Sequence, residues 1–123
     1  MNRKETGAIA ENIAADYLLK RGYNIRERNY RTCNGEIDII AEKGEALVFF
    51  EVRAKTGRAF GSAEESITER KKKRLIALAE AYLGDTGEQP ESCRIDIIAI
   101  RLSTNGKLMR FNVIENATGW TTG

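Results

Sequence analysis

Two apolar runs, each interrupted by a single carboxylate, constrain this chain more than any other feature. In "GEIDIIAEKGEALVFFEVRAK", Gly35 to Lys55, Asp38 lies between Ile37 and Ile39, and Glu51 lies between Phe50 and Val52. Apolar residues packed this densely must enter a core, and they carry the acids with them. A buried carboxylate without a partner costs several kcal/mol, so each must be ion-paired, protonated or bound to a metal. The break at "KGE" predicts a hairpin joining two neighbouring strands. Side chains alternate across a strand, which puts Glu36, Asp38 and Ile40 on one face and Ile37, Ile39 and Ala41 on the other. On the next strand Phe49, Glu51, Arg53 and Lys55 share a face. Side-by-side pairing would aim Asp38 and Glu51 at one patch, with Arg53 and Lys55 next along it.

Two hard oxygen ligands beside a cation suit a Mg²⁺ or Mn²⁺ site for phosphate-ester hydrolysis. The competing reading is a plain salt bridge from Asp38 or Glu51 to Arg53 or Lys55. A buried ion pair gains little over an apolar pair, so its presence inside apolar runs leans toward a role beyond stability. The chain contains no histidine, which excludes Ser-His-Asp and Cys-His catalysis and removes the commonest zinc ligand.

The chain of 123 residues has the length of one domain, and its 41% hydrophobic and 31% charged shares are those of a soluble globular protein. No run approaches the ~18 apolar residues of a membrane span. The start, "MNRKETGAIAEN", lacks the apolar stretch of a signal peptide, so a cytoplasmic location is expected. In that compartment Cys33 and Cys93 are expected as reduced core residues.

A helix is predicted from about Glu5 to Arg21, with Ile9, Ile13 and Tyr17 at helical spacing and Gly22 as its stop. Glu11 falls on a small-residue flank of that helix, where a carboxylate either caps something or reaches a site. "YNIRERNYR" is an edge-like first strand, "GEIDIIAE" and "EALVFFEVRAK" the second and third, and "TGRAFGS" a glycine-bearing loop. "SITE" matches a capping box, so a second helix should start at Ser66 and run to Leu83, stopping at Gly84. "CRIDIIAIRL" and "KLMRFNVIEN" complete the strands around an "STNG" turn. The order predicts a mixed α/β domain with a central sheet flanked by helices.

The net charge of +2 decides little, but its distribution is uneven. Lys20 to Arg31 carries five basic residues and Arg53 to Arg74 carries eight, which points to an anionic partner at one face. Arg70, Lys71, Lys72, Lys73 and Arg74 fall near the positive end of the second helix dipole, where acids are normally favoured. Cations and free N–H groups there would attract phosphate together. Asp96, in "RIDIIAI", repeats the pattern of "EIDII" and either joins the site or pairs with Arg94 or Arg101, the pairing being the expectation.

"GEIDIIA", then Glu51 of "FEVRAK" thirteen residues after Asp38, with Glu11 in a preceding helix, resembles the PD-(D/E)XK nuclease arrangement. From about Gly7 to Asn116 the chain is similar to the bacterial YraN-like family of predicted endonucleases, distantly related to archaeal Holliday junction resolvases. The resemblance implies a restriction-endonuclease-like αβββαβ core and one nuclease-like domain over residues 1–123. It implies a metal-dependent endonuclease acting on DNA, branched or junction DNA included. Asp38 and Glu51 correspond to its metal-binding acids, and Glu11 to the helix glutamate that many resolvases add. Arg53 stands where the motif has lysine, as is frequent among YraN-like members. Arginine effectively cannot release a proton, so Arg53 can bind phosphate but cannot serve as a general base, and Lys55 could substitute. Arg58 and Arg70 to Arg74 would grip the nucleic-acid backbone, and a homodimer would match a two-fold junction. The alternative is a nucleic-acid-binding protein that keeps the fold without turnover.

Overall fold

In a computed structural model, which describes residues 1–57 and 61–122, helix α1 (Arg3–Lys20) starts two residues earlier than its apolar spacing suggested. The reason is a capping box: Asn2 accepts from the Glu5 amide at 2.8 Å, and the Glu5 carboxylate accepts from the Asn2 amide at 3.3 Å. Ala10, Ala14 and Leu18, spaced four apart, form its buried stripe.

Strands β1 (Asn24–Thr32), β2 (Gly35–Lys43) and β3 (Ala46–Thr56) follow as an antiparallel meander. The predicted β2–β3 hairpin turns at Gly44, whose φ of 59° a side chain would disfavour. Helix α2 (Glu69–Thr86) then crosses over to β4 (Ser92–Leu102), which lies parallel to β3, as a crossover of this length permits. β5 (Leu108–Ile114) and a short β6 (Thr121–Thr122), unassigned from sequence, pair with successive stretches of the same edge of β4. The sheet order is β1-β2-β3-β4-β5. This mixed sheet with a helix on either face is consistent with a restriction-endonuclease-like core.

Both faces of the central strands are covered, which explains why their sequences are nearly continuous apolar runs. Under α1 lie Ile39, Ala41, Val48, Phe50, Ile98 and Ile100. Under α2 lie Ile37, Ile40, Leu47, Phe49 and Ile95, together with Leu75, Leu78 and Tyr82 of the helix itself. Ile37 and Ile39 therefore occupy opposite faces, not the same one. Strand alternation is broken at Asp38, between them.

Two helix boundaries differ from expectation. Thr68, not Ser66, caps α2, its Oγ1 accepting from the Lys71 amide at 3.2 Å. Ser66 instead ends a short 3₁₀ turn, Glu64–Ser66, and donates its hydroxyl to the Ala63 carbonyl. The helix also continues through Gly84 to Gly87, which takes the left-handed conformation (φ 70°) typical of a helix stop. Cys93 is buried as expected, but Cys33 is exposed in the β1–β2 turn. Among the described residues, no helix is long and apolar enough to cross a membrane.

Candidate active site

β3 is bonded to β4 along its whole length, from Ala46 to Thr56, but to β2 only from Ala46 to Phe50. Beyond the Ile39–Phe50 pair the two strands separate. The Val52 amide, deprived of a backbone partner on β2, donates to Asp38 Oδ2 at 2.7 Å. A carboxylate thus satisfies a donor that the ladder leaves open. The separation exposes a cleft of about 690 Å³, walled by the start of α1, by β3 and by Lys71 of α2. Gly7 and Ala10 keep the α1 wall low, and a Thr6–Thr56 hydroxyl contact of 3.1 Å ties that wall to the end of β3.

Asp38 lies within the cleft lining, most of its side chain out of solvent. Burial pushes its pKa up to about 9, the adjacent Glu51 carboxylate adds to the rise by charge and by sharing the proton, and the Val52 N–H opposes it. Two carboxylates this close cannot both stay ionised cheaply without a cation. Glu51, with 15% of its side chain exposed, has Arg53 Nη1 at 3.6 Å from Oε2. The Arg53 guanidinium is itself fixed, because Nε donates to Ser66 Oγ at 3.0 Å. Lys55 lines the cleft further along β3 and forms no ion pair among the described residues.

Glu11 also lines the cleft, but its carboxylate is engaged from the other side. Asn29 Nδ2 donates to Glu11 Oε1 at 2.9 Å and Arg28 Nε does so at 3.2 Å, while Arg28 Nη2 reaches Asn12 at 2.8 Å. Asn29 sits in β1 between the partners of Ile39 and Ile37, with φ 55°, a left-handed conformation that Asn tolerates better than most residues. Sequence reasoning did not find Asn29 or Ser66 as supports for the acids and Arg53. An asparagine in the middle of a strand, where its propensity is low, is the signal that could have marked the first.

Asp38 and Glu51 are brought together, with Arg53 beside them, and Glu11 and Lys55 share the same cleft. Among the described residues no three acidic or thiol side chains gather closely enough to chelate one ion. The donor set nonetheless suits a hard cation. Mg²⁺ is commonly held by one or two carboxylates, with water and substrate phosphate completing its shell, and a divalent ion would displace the proton held between Asp38 and Glu51. The five cations of α2 separate: Lys71 enters the cleft, Lys72 pairs with Glu69 at 3.3 Å, and Arg70, Lys73 and Arg74 are exposed. Arg58 lies outside the described residues. Asp96 is structural, accepting from Arg94 at 3.0 Å and from the Asn116 amide at 2.9 Å.

A mixed α/β core of restriction-endonuclease-like kind, opened at one end of its sheet beside a half-buried carboxyl pair, is the class of protein that fold and cleft define. The chain belongs to the uncharacterised protein family UPF0102, whose model matches residues 10–100 and so spans Glu11, Asp38 and Glu51. It is 45% identical over 115 residues to a UPF0102 protein of Pelotomaculum thermopropionicum, covering 94% of this chain and 96% of that one. It is 44% identical over 117 residues to one of Moorella thermoacetica (95% and 98%) and 39% identical over 117 residues to one of Dictyoglomus thermophilum (95% and 99%).

Proposed function

We propose that this protein is an endonuclease that hydrolyses phosphodiester bonds of DNA, branched or junction DNA in particular, with Mg²⁺ or Mn²⁺ held by Asp38 and Glu51. The observation that carries this reading is the half-buried Asp38, sharing its proton with the adjacent Glu51, in an open cleft whose other charged lining residues, apart from Glu11, are cations. A bound divalent ion would supply a water of lowered pKa and polarise the phosphate. Around it, the chain's own groups set the geometry. The Val52 N–H fixes one oxygen of Asp38, and Arg53, anchored on Ser66, holds Glu51. Arg53 also offsets charge that develops on the phosphate oxygens but abstracts no proton. Glu11, held by Arg28 and Asn29, flanks the pair as a carboxylate that can hold a water at the ion. Arg70, Lys73 and Arg74 take the flanking backbone, and two copies of the chain would act together on a two-fold junction.

The second reading, a nucleic-acid-binding protein without turnover, is favoured by Arg53 at the motif's lysine position. Calorimetric titration of Mn²⁺ into wild type, Asp38→Asn and Glu51→Gln separates the two. Saturable binding in wild type that both substitutions abolish, with loss of at least about 100-fold in cleavage of forks, flaps or junctions, is expected when charge-stabilising ligands are removed. Asp38→Asn cutting DNA at the wild-type rate would sink the mechanism. Tight DNA binding indifferent to divalent metal, with no product from any substrate, would select the second reading.

A further inference from the structure

Five consecutive helical residues fan through roughly 400°, so the basic run on α2 cannot act as one surface. Lys72 turns to Glu69, and the stem of Arg74 lies over Gly35 at the tip of the β1–β2 hairpin. Lys71 alone of the five lines the cleft that contains Asp38. It is half-buried and forms no ion pair among the described residues.

Of the other cleft cations, the two on β3, Arg53 and Lys55, are less well placed to meet a reacting group. Arg53 is committed through Nε to Ser66 and through Nη1 to Glu51, so it supports the carboxylate and offsets phosphate charge only from that fixed position. Lys55 stands four residues beyond Glu51 on an extended strand, which separates their Cα atoms by about 13 Å. The Lys71 ammonium, by contrast, lies within the field of Glu51 and of Arg53. Burial lowers its pKa and the Arg53 charge lowers it further, the Glu51 carboxylate opposes them, and Arg74 and Lys55 add smaller lowering effects. Three cations and an incompletely solvated ammonium without an ion-pair partner make an environment that an incoming phosphate would relieve.

We infer that Lys71, from the first turns of α2, supplies the cation that meets the phosphate at the Asp38–Glu51 pair, the place in which the motif has a strand lysine and this chain has Arg53. The inference rests on the phosphodiesterase reading for its chemistry, but the contact itself does not depend on turnover. The basic residues then have separate roles, with Lys71 inside at the reacting group and Arg70, Lys73 and Arg74 outside on the flanking backbone.

Single-turnover cleavage of a junction substrate with Mn²⁺, and equilibrium binding of its phosphorothioate analogue, would be measured for wild type, Lys71→Met, Lys71→Arg and Lys55→Met. Lys71→Met should lower the cleavage rate about 100-fold or more while DNA affinity changes less than about fivefold, as for removal of a charge-stabilising donor. Lys71→Arg should recover part of the rate, and Lys55→Met should act mainly on affinity. Lys71→Met that cleaves as wild type does, or that loses affinity alone, overturns the inference. A second measurement separates it from the reading beneath it: amine modification mapped by mass spectrometry, with and without the analogue and Mn²⁺. Protection of Lys71 above that of Lys55, in a wild type that cuts nothing, keeps the phosphate contact and discards hydrolysis. Lys71 modified equally fast in both conditions discards the contact whether or not DNA is cut.

Discussion

The proton on Asp38 is bound far more tightly in the folded protein than in the unfolded chain. Its folded pKa is pushed up to about 9, whereas a free aspartate releases its proton near the usual carboxylate range. Between those two values the folded state binds more protons than the unfolded state, so stability falls as pH rises through the window and levels off above it. Asp38→Asn removes this dependence because the amide has no proton to lose. The metal-free variant should therefore be more stable than wild type at pH 8, by about 1–2 kcal/mol or several degrees in Tm, with the difference shrinking toward pH 4. Thermal unfolding at pH 4, 6 and 8 reads it, and parallel curves for the two proteins would refute the origin assigned to the shift. Mn²⁺ competes with the same proton, so it should raise the Tm of wild type more at pH 8 than at pH 6 and leave Asp38→Asn unmoved. Asp38 and Glu51 are legible in the sequence because an acid inside an apolar run has few explanations. Asn29 and Ser66 are not, because what matters about them is which distant side chain they touch, and short-range pattern carries no such information.

The secondary-structure elements are legible to the extent that their signals are local. β2, β3 and β4 announce themselves by apolar runs, α1 by its period and α2 by a capping signal, but the helix ends depend on competing caps. Ser66 and Thr68 each stand ahead of α2, and only Ser66 has the box-forming Glu69 three residues on. The structure gives the cap to Thr68 because the Ser66 hydroxyl is taken by Ala63 and Arg53 Nε. A residue recruited to hold the cleft is unavailable to start a helix. Thr68→Ala should then cost about 1 kcal/mol of stability, the usual value of an N-cap, while sparing the cleft. Ser66→Ala should cost less in stability yet weaken Mn²⁺ binding, because Arg53 loses its anchor beside Glu51. Chemical denaturation paired with calorimetry on the two variants distinguishes the roles, and the opposite ranking would return the cap to Ser66. β6 is illegible for a different reason: two residues hold no period, and their pairing with Cys93 and Arg94 is set by where the chain returns after Asn116.

At the scale of the whole molecule, a net charge of +2 conceals a division between neutralised and open cations. Arg26 pairs with Glu88 and Arg94 with Asp96 at the closed end of the sheet, while Arg31 pairs with Glu36 and Arg110 with Glu64 toward its open end. Lys55 and Lys71 in the cleft, with Arg70, Lys73 and Arg74 around its α2 side, form no such pairs among the described residues. Positive charge is therefore left available where β2 and β3 part, and a polyanion would be drawn to that end. Engagement of about four phosphates by this set would give a slope near −3.6 for log affinity against log salt on duplex arms, at about −0.9 per contact. Anisotropy with a fluorescent junction between 50 and 200 mM salt would measure it, those being about the bounds over which such slopes are resolved. Arg74→Ala and Arg70→Ala should each make the slope shallower by about one and weaken binding alike for unrelated sequences, as loss of a phosphate contact does. Lys43→Ala, at the β2–β3 turn and so at the opposite end of the sheet, should leave the slope unchanged. An affinity indifferent to salt, or one lost equally with Lys43→Ala, would place the nucleic-acid surface elsewhere on the molecule and detach the cleft from the substrate proposed for it.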